Sequence, residues 1–205
     1  MRLRHDKNAQ ENLNKSEFYI KEFPIKLEAN NILEIGAGKG EMISQLALHN
    51  PDIKFFALEK YPTVANKILR KIENLNLSNL FIITKDALEI PEIFESKIDK
   101  IWLTFSDPWP KKAHTKRRLT YQTFLLIYKN LLSENGELWF KTDNDKLFDF
   151  SLESLNENNW EIIYQTRDLH NSKYNADNFQ TGYEQKWASL GKNINFLIAK
   201  PKNEF

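Results

Sequence analysis

With 205 residues, 41% hydrophobic and 13% aromatic, the chain has material for one substantial core, which excludes a disordered polymer. There is no cysteine, so disulfides, thiolate metal sites and a cysteine nucleophile are excluded. Net charge is +1, so attraction for nucleic acid has to come from local clustering of charge.

The four histidines (His5, His49, His114, His170) are scattered without metal-ligand spacing, and no metal is expected. The polar N-terminus lacks a secretory pattern, and no apolar run approaches the roughly 20 residues that span a bilayer. A cytoplasmic protein is the expectation. Residues 1–30 carry Arg2, Arg4, Lys7 and Lys15. They read as a frayed terminus or as a mobile basic arm that touches RNA.

Asn31 to Ile35 predicts a short strand. Gly36-Ala37-Gly38-Lys39-Gly40 follows, and then a helical pattern with Ile43, Leu46 and Ala47 on one face. Strand, glycine turn and helix together form a ligand-binding context, because glycines permit tight turns and the helix start offers N–H donors. The run is not a P-loop, and its third glycine comes one residue earlier than in the dinucleotide fingerprint. Glu34 precedes the first glycine and would repel a diphosphate. A cationic ligand without phosphate, such as S-adenosylmethionine, fits better.

Lys54 to Glu59 predicts the second strand, ending in an acid 25 positions after Glu34, suited to ribose hydroxyls. Pro62 opens a helix with Val64, Ala65, Ile68, Leu69 and Ile72 inward. Leu80 to Thr84 predicts the third strand, with Asp86 just beyond. A fourth apolar run from Ile101 stops at Asp107, and a fifth strand, after an Asn135-Gly136 turn, runs from Glu137 to Thr142 and into Asp143. Acids at successive strand ends would line the crevice at the carboxyl edge of a parallel sheet.

Asp107 opens Asp-Pro-Trp-Pro, where Pro108 and Pro110 stiffen the backbone around Trp109. Lys111, Lys112, His114, Lys116, Arg117 and Arg118 come next. A charge run is by default a solvated face. Beside an acid and a rigid aromatic, it reads instead as a site for chemistry on a nucleic-acid base. Residues 166–180 are polar and aperiodic, and a loop of that length predicts a mobile element that closes over substrate. Trp160 to Gln165 and Asn193 to Lys200 predict the last two strands, paired as an antiparallel edge. Seven strands with interleaved helices make an α/β protein with a mostly parallel sheet.

Glu34-Ile35-Gly36-Ala37-Gly38-Lys39-Gly40 resembles the cofactor motif of the Rossmann-like class I methyltransferase fold. Phe105 to Lys112, Lys116-Arg117-Arg118-Leu119, Lys141-Thr142-Asp143-Asn144 and Thr181-Gly182-Tyr183-Glu184 are more specific. Together they resemble the bacterial tRNA (guanine-N(7)-)-methyltransferases, the TrmB family, from Arg-Leu-Arg-His at the start to the last strand. That family methylates guanine 46 in the tRNA variable loop.

The resemblance implies a seven-stranded sheet with helices on both faces, over 31–205, preceded by the 1–30 arm. It implies S-adenosylmethionine as cofactor, on Glu34, Gly36, Gly38, Gly40, Glu59, Asp86 and Asp107, with Asp107 also the catalytic acid. Lys111, Asp143, Thr181, Gly182, Tyr183 and Glu184 would hold the substrate. Lys112, Ala113, His114, Thr115, Lys116, Arg117 and Arg118 would touch tRNA. Ala113 stands where the family usually has arginine, and Gly182 where it has a bulkier residue. Monomers and homodimers both occur in the family. A small-molecule methyltransferase would not need the basic run, an RNA-binding module would not need the acid-lined crevice, and Glu34 disfavours NAD.

Overall fold

The computed structural model describes residues 6–27 and 30–202. One seven-stranded sheet, in the order β3-β2-β1-β4-β5-β7-β6, organises them. The chain enters through α1 (Ala9–Lys15) and β1 (Asn31–Ile35), then winds through α2 (Glu41–His49), β2 (Lys54–Leu58), α3 (Pro62–Leu75) and β3 (Leu80–Ile83). It crosses by way of the short α4 (Ile90–Ile93) to β4 (Ile98–Thr104), α5 (Gln122–Leu131), β5 (Leu132–Thr142) and α6 (Asp145–Glu157). It ends with β6 (Trp160–Thr166), α7 (Gly182–Ser189) and β7 (Asn195–Pro201).

β1 pairs in parallel with both β2 and β4, so the strand order reverses between β1 and β4. In open α/β sheets that reversal leaves a crevice at the carboxyl ends of the two strands. β7 alone runs antiparallel to its neighbours, and it lies one place in from the edge, between β5 and β6. The antiparallel pairing expected at the edge is thus the β7–β6 pair.

The central strands are apolar on both faces because helices cover both faces. Leu33, Ile35, Phe56, Leu58, Leu103 and Phe140 share one core with α5 and α6. Phe55, Ala57, Ile82, Trp102, Trp139 and Phe196 face the other way, onto α1, α2 and α3. α3 has proline in its first turn and Asn76 in the left-handed region at its end (φ +51°), both good helix punctuation. Its buried face is Ala65, Asn66, Ile68, Leu69 and Ile72, whereas Val64, expected in the core, is only half-buried.

Three expectations need correction. The stretch read as a frayed or mobile arm is packed over its described residues. Ala9 and Leu13 are buried, Ile82 N–H donates to Phe18 and Ile20 N–H to Ile82, and Ile25 bridges to Phe94. This covers the β3 edge, which would otherwise expose unpaired backbone groups. The expected arm residues Arg2 and Arg4 lie outside the described residues; Lys15 pairs with Glu11 at 2.6 Å on the exposed face of α1.

Asn135-Gly136 does not end a helix–strand connection. β5 already begins at Leu132, and residues 133–136 bulge opposite Asp99 between the Ile98–Leu132 and Lys100–Glu137 pairs. A Cβ on Gly136 would sit 3.0 Å from the Ile98 carbonyl, so the bulge requires glycine.

The segment 166–180 is not an open loop. Leu169 is fully buried and its N–H donates to Ile194, Tyr174 packs on Tyr164, Trp139 and Phe196, and Phe179 packs on His49. Its polar composition hid this, because the buried Asn178 is satisfied by Lys141 and Glu184 from outside the segment, while Asp168, Asn171 and Ser172 bond within it.

Candidate active site

A cavity of about 980 Å³ opens at the β1/β4 reversal. Its wall brings together Glu34, Gly36 and Gly38 from the first strand end, Asp107 from the fourth, Asp143 from the fifth, Thr181 that caps α7, and Tyr183 from its first turn. The volume suits a nucleoside-sized ligand with room for a base.

Glu34 is buried at the end of β1, and its Oε2 has no hydrogen-bond partner. Burial pushes its carboxyl from 4.5 up to about 7, opposed by the Thr104 hydroxyl, the Lys141 charge and the Ile43 N–H, and reinforced by Glu59. A buried, unpartnered carboxylate oxygen in a cavity wall calls for a cationic or N–H partner.

The glycine turn is needed for its shape. Gly36 and Gly38 have φ of +72° and +57°, and a Cβ on Gly38 would meet nothing within 4 Å. The N–H groups of Gly36, Ala37, Gly38 and Gly40 are all taken within the protein. Gly36 and Ala37 donate to the Leu58 carbonyl, Gly38 to Glu59 Oε2 at 3.0 Å, and Gly40 to Ala37. The turn is therefore a bare wall and no anion cradle, consistent with Glu34 beside it. Gly40 has a packing role: a Cβ there would lie 3.0 Å from Ile68 of α3.

Glu59 and Asp86 are absent from the cavity wall. The Glu59 oxygens accept the Gly38 and Tyr61 N–H groups, each at 3.0 Å, so its carboxylate braces the glycine turn and keeps lone pairs to spare. Asp86 caps a 3-10 turn at Ala87–Glu89 and pairs with Lys60 at 2.7 Å.

After β4 the backbone is strained. Phe105 (φ +48°) and Trp109 (φ +42°) both occupy the left-handed region, at a cost of order 1–3 kcal/mol each. Trp109 also precedes a proline, which narrows its choices further. Between them Asp107 is exposed to solvent yet lines the cavity. The Phe105 ring packs 5.2 Å from that of Tyr183, whose hydroxyl donates to Asp143 at 3.0 Å.

The basic run forms a 3-10 turn at Lys112–Arg117. Lys111, Lys112, Ala113, Lys116 and Arg117 are exposed, and His114 and Thr115 are half-buried. Trp109 meets His114 edge-on at 5.6 Å and Arg117 at 4.9 Å. Arg118 turns inward. It donates to the Pro108 carbonyl at 3.0 Å and the Trp109 carbonyl at 3.1 Å, and lies 4.4 Å over the Phe150 ring of α6.

Lys141-Thr142-Asp143-Asn144 divides its work by residue. Asn144 caps α6 by accepting the Leu147 N–H, Thr142 accepts the Asn144 N–H, and Asp143 faces the cavity. Lys141 is wholly buried and donates at 2.6 Å to both Glu184 and Asn178. Glu184, also wholly buried, accepts Asn178 and faces His170 Nε2, each at 2.8 Å. Burial pushes Glu184 up, but Lys141, Asn178 and His170 outweigh it and hold it below the usual carboxylate range. Burial lowers Lys141, against the pull of Glu184 and Glu34.

Glu184 therefore stands behind the wall, fastening α7 to β5, while Thr181 and Tyr183 face the cavity. Gly182 starts α7 in spite of its small size, because Thr181 Oγ1 accepts the Glu184 N–H and Glu41 accepts the Gly182 N–H at 2.7 Å. Lys141, His170, Asn178 and Glu41 were given no role from sequence. A lysine inside Leu-Trp-Phe-Lys-Thr was the available signal, since a charge within a buried strand needs a partner. Among the described residues no cluster of His, Cys, Asp or Glu could hold a metal ion, and no helix is long and apolar enough to cross a membrane.

Residues 28–197 match the family model described as "Putative methyltransferase". The chain is 58% identical over 200 residues to the tRNA (guanine-N(7)-)-methyltransferase of Mycoplasmopsis synoviae, covering 97% of each. It is 53% identical over 202 residues to that of Mycoplasmopsis agalactiae, covering 98% of each. Among solved structures, the 16S rRNA methyltransferase KamB superposes with a TM-score of 0.64 at 13% identity, over 85% of this chain and 88% of that one. Fibrillarin in its Nop5p complex does so with 0.57 at 16% identity, over 88% and 77%. These two share the fold alone. On the strength of its full-length relatives, this chain belongs to the tRNA (guanine-N(7)-)-methyltransferase family, TrmB, and carries the class I methyltransferase fold.

Proposed function

We propose that this protein transfers the methyl group of S-adenosylmethionine to N7 of guanine 46 in the variable loop of tRNA. The supporting observation is a single cavity with the unpartnered Glu34 oxygen in its wall, Asp107 in the same wall, and an exposed basic turn following directly in the chain. The residues present fit the cofactor. Glu34 would take its ammonium group, the bare wall at Gly36 and Gly38 would let it lie against backbone, and Glu59, outside the wall but bonded to Gly38 of it, keeps acceptor capacity for ribose hydroxyls. Asp86 is the weakest member of the proposed set, being occupied by Lys60 and by its own cap. When bound, the cofactor supplies an electrophilic methyl group on a sulfonium centre. No metal is proposed.

Guanine N7 carries an in-plane lone pair and no proton, so the chain has no base to supply for the nucleophile, unlike attack by an amine or hydroxyl. The residues have to align the base and accommodate positive charge developing on it. Asp107 is exposed on the cavity wall and is assigned to orient the ring through its N–H edge and to stabilise that charge. Asp143, itself held by Tyr183, and the Thr181 hydroxyl complete the substrate side, with Lys111 approaching from the basic turn. Lys112, His114, Lys116 and Arg117 face solvent at least in part and are assigned to tRNA phosphates, which position without reading sequence. Residues 31–205 form the catalytic domain in this reading, and residues 1–30 a flanking segment, joined to α3 where the Asp6 N–H donates to Thr63 on the cavity wall.

Incubation with labelled S-adenosylmethionine and bulk tRNA, followed by nucleoside analysis, should yield 7-methylguanosine. Label in another nucleoside would overturn the reading.

A further inference from the structure

We propose that Arg118 is a positioning residue for the Asp107 turn, and no phosphate contact. The inference rests on the assignment of Asp107 above. Arg118 is the member of the basic run whose guanidinium is spent inside the protein. Its Nε donates to the Pro108 carbonyl and its Nη2 to the Trp109 carbonyl, at 3.0 and 3.1 Å. The guanidinium carbon lies 4.4 Å from the centre of the Phe150 ring, which ties it to α6. The next residue, Leu119, lies 3.9 Å from where a Gly36 Cβ would be, so the same segment abuts the glycine turn.

The need for such a grip comes from the backbone it holds. The turn from Phe105 to Pro110 carries two non-glycine residues in the left-handed region, the second before a proline. Strained conformations persist only where the surroundings over-determine them. Two converging hydrogen bonds onto adjacent carbonyls, from a planar donor fixed against an aromatic ring, supply that restraint. The restrained carbonyls follow Asp107 directly, so the grip fixes where its carboxylate enters the cavity. Lysine offers a point charge on a flexible stem and cannot reproduce the fork. Arg117, by contrast, is exposed, and apart from its face-on contact with the Trp109 ring its guanidinium is open to phosphate.

The test uses the full-length protein and the variants Arg118→Lys, Arg118→Ala and Arg117→Ala. Single-turnover methylation is measured at saturating tRNA and cofactor, with tRNA affinity against salt, cofactor affinity, and hydrogen exchange of the 105–119 segment. Both Arg118 variants should lose about 10- to 100-fold in rate, the scale of a misplacement near 1 Å. Cofactor affinity should hold, and exchange in 105–119 should rise. The salt slope should fall by roughly 0.7–0.9 for Arg117→Ala but hardly change for Arg118→Lys or Arg118→Ala.

Retention of rate by Arg118→Lys would overturn the proposal, because charge alone would then suffice. A salt slope for Arg118→Ala matching that of Arg117→Ala would do the same. Cofactor affinity lost in parallel with rate would make Arg118 a general fold element. The exchange measurement separates this proposal from the functional reading: unchanged exchange in Arg118→Lys removes the grip whatever the activity, whereas raised exchange in a protein that methylates no tRNA supports the grip and sinks the reading.

Discussion

The Glu34 carboxyl is raised to about 7 by burial, and its Oε2 is unpartnered. A carboxyl whose folded value exceeds its unfolded value of 4.5 takes up a proton on folding. Its burden is absent below 4.5, grows between 4.5 and about 7, and is complete above. Glu34→Gln should therefore raise the melting temperature of the free protein at pH 8, by an increment of about 2–3 kcal/mol in stability, and change it little at pH 5. Cofactor affinity should show the opposite dependence. A cationic ligand favours the carboxylate, so calorimetric affinity should weaken as pH falls through 7, with proton release on binding, and Glu34→Gln should flatten the profile. Affinity independent of pH between 6 and 8 in the wild type would remove Glu34 from the site.

Asp107 bears on mechanism. Asp107→Asn keeps the shape, loses the charge, and turns donors toward the donor edge of guanine. Single-turnover methylation should fall by on the order of a hundredfold or more, as for loss of one preorganised electrostatic contact, while cofactor affinity falls much less. A near-normal rate would take Asp107 out of the mechanism. The place of Asp107 in the cavity wall was legible in the sequence because a strand end, two prolines and a charge run are all local signals. The duties of Glu59, Asp86 and Arg118 were not, because each is set by a partner distant in sequence or by a backbone angle that no residue type announces.

Among the elements, α7 and the segment before it depend on one buried pair. Lys141 and Glu184 are both fully buried, and with Asn178 and His170 they join β5, the 166–180 segment and α7. Removing one partner leaves an uncompensated buried charge. Lys141→Met or Glu184→Gln should each cost about 3–5 kcal/mol, and the double variant less than the sum. Hydrogen exchange should rise most between residues 166 and 190. Glu184 is depressed below its unfolded value of 4.5, so its contribution is present above 4.5 and is lost as pH falls through the lower folded value. Exchange in this region should accelerate there before it does in the central strands. Uniform exchange across the molecule would mean that the pair is no local fastener. The polarity of 166–180 suggested an open lid for a physical reason: composition cannot distinguish polar groups that face water from polar groups that satisfy one another. The strand and helix periodicities were legible because each reflects one buried face. The β7–β6 edge was legible as a pairing, but the insertion of β7 between β5 and β6 depends on long-range contact.

For the whole molecule, the strand order puts the cavity at the β1/β4 reversal, and the chain then places its basic turn directly after Asp107. With a net charge of +1, attraction for tRNA has to come from local clusters of charge, and the proposal assigns it to this turn. Replacing Lys116 and Arg117 together by alanine should reduce the slope of log affinity against log salt by roughly 1.4–1.8, two contacts' worth, with little change in rate at saturating tRNA. An unaltered slope would make the exposed turn an ordinary solvated face. The proposed reaction is methyl transfer to N7 of guanine 46 from this cavity. It is tested most directly with two tRNA transcripts that differ at one atom, one carrying guanine and the other 7-deazaguanine at position 46, under single-turnover conditions with labelled S-adenosylmethionine. The expected result is one methyl group per guanine transcript, recovered as 7-methylguanosine at position 46, and none on the 7-deazaguanine transcript. Equal labelling of the two would contradict it.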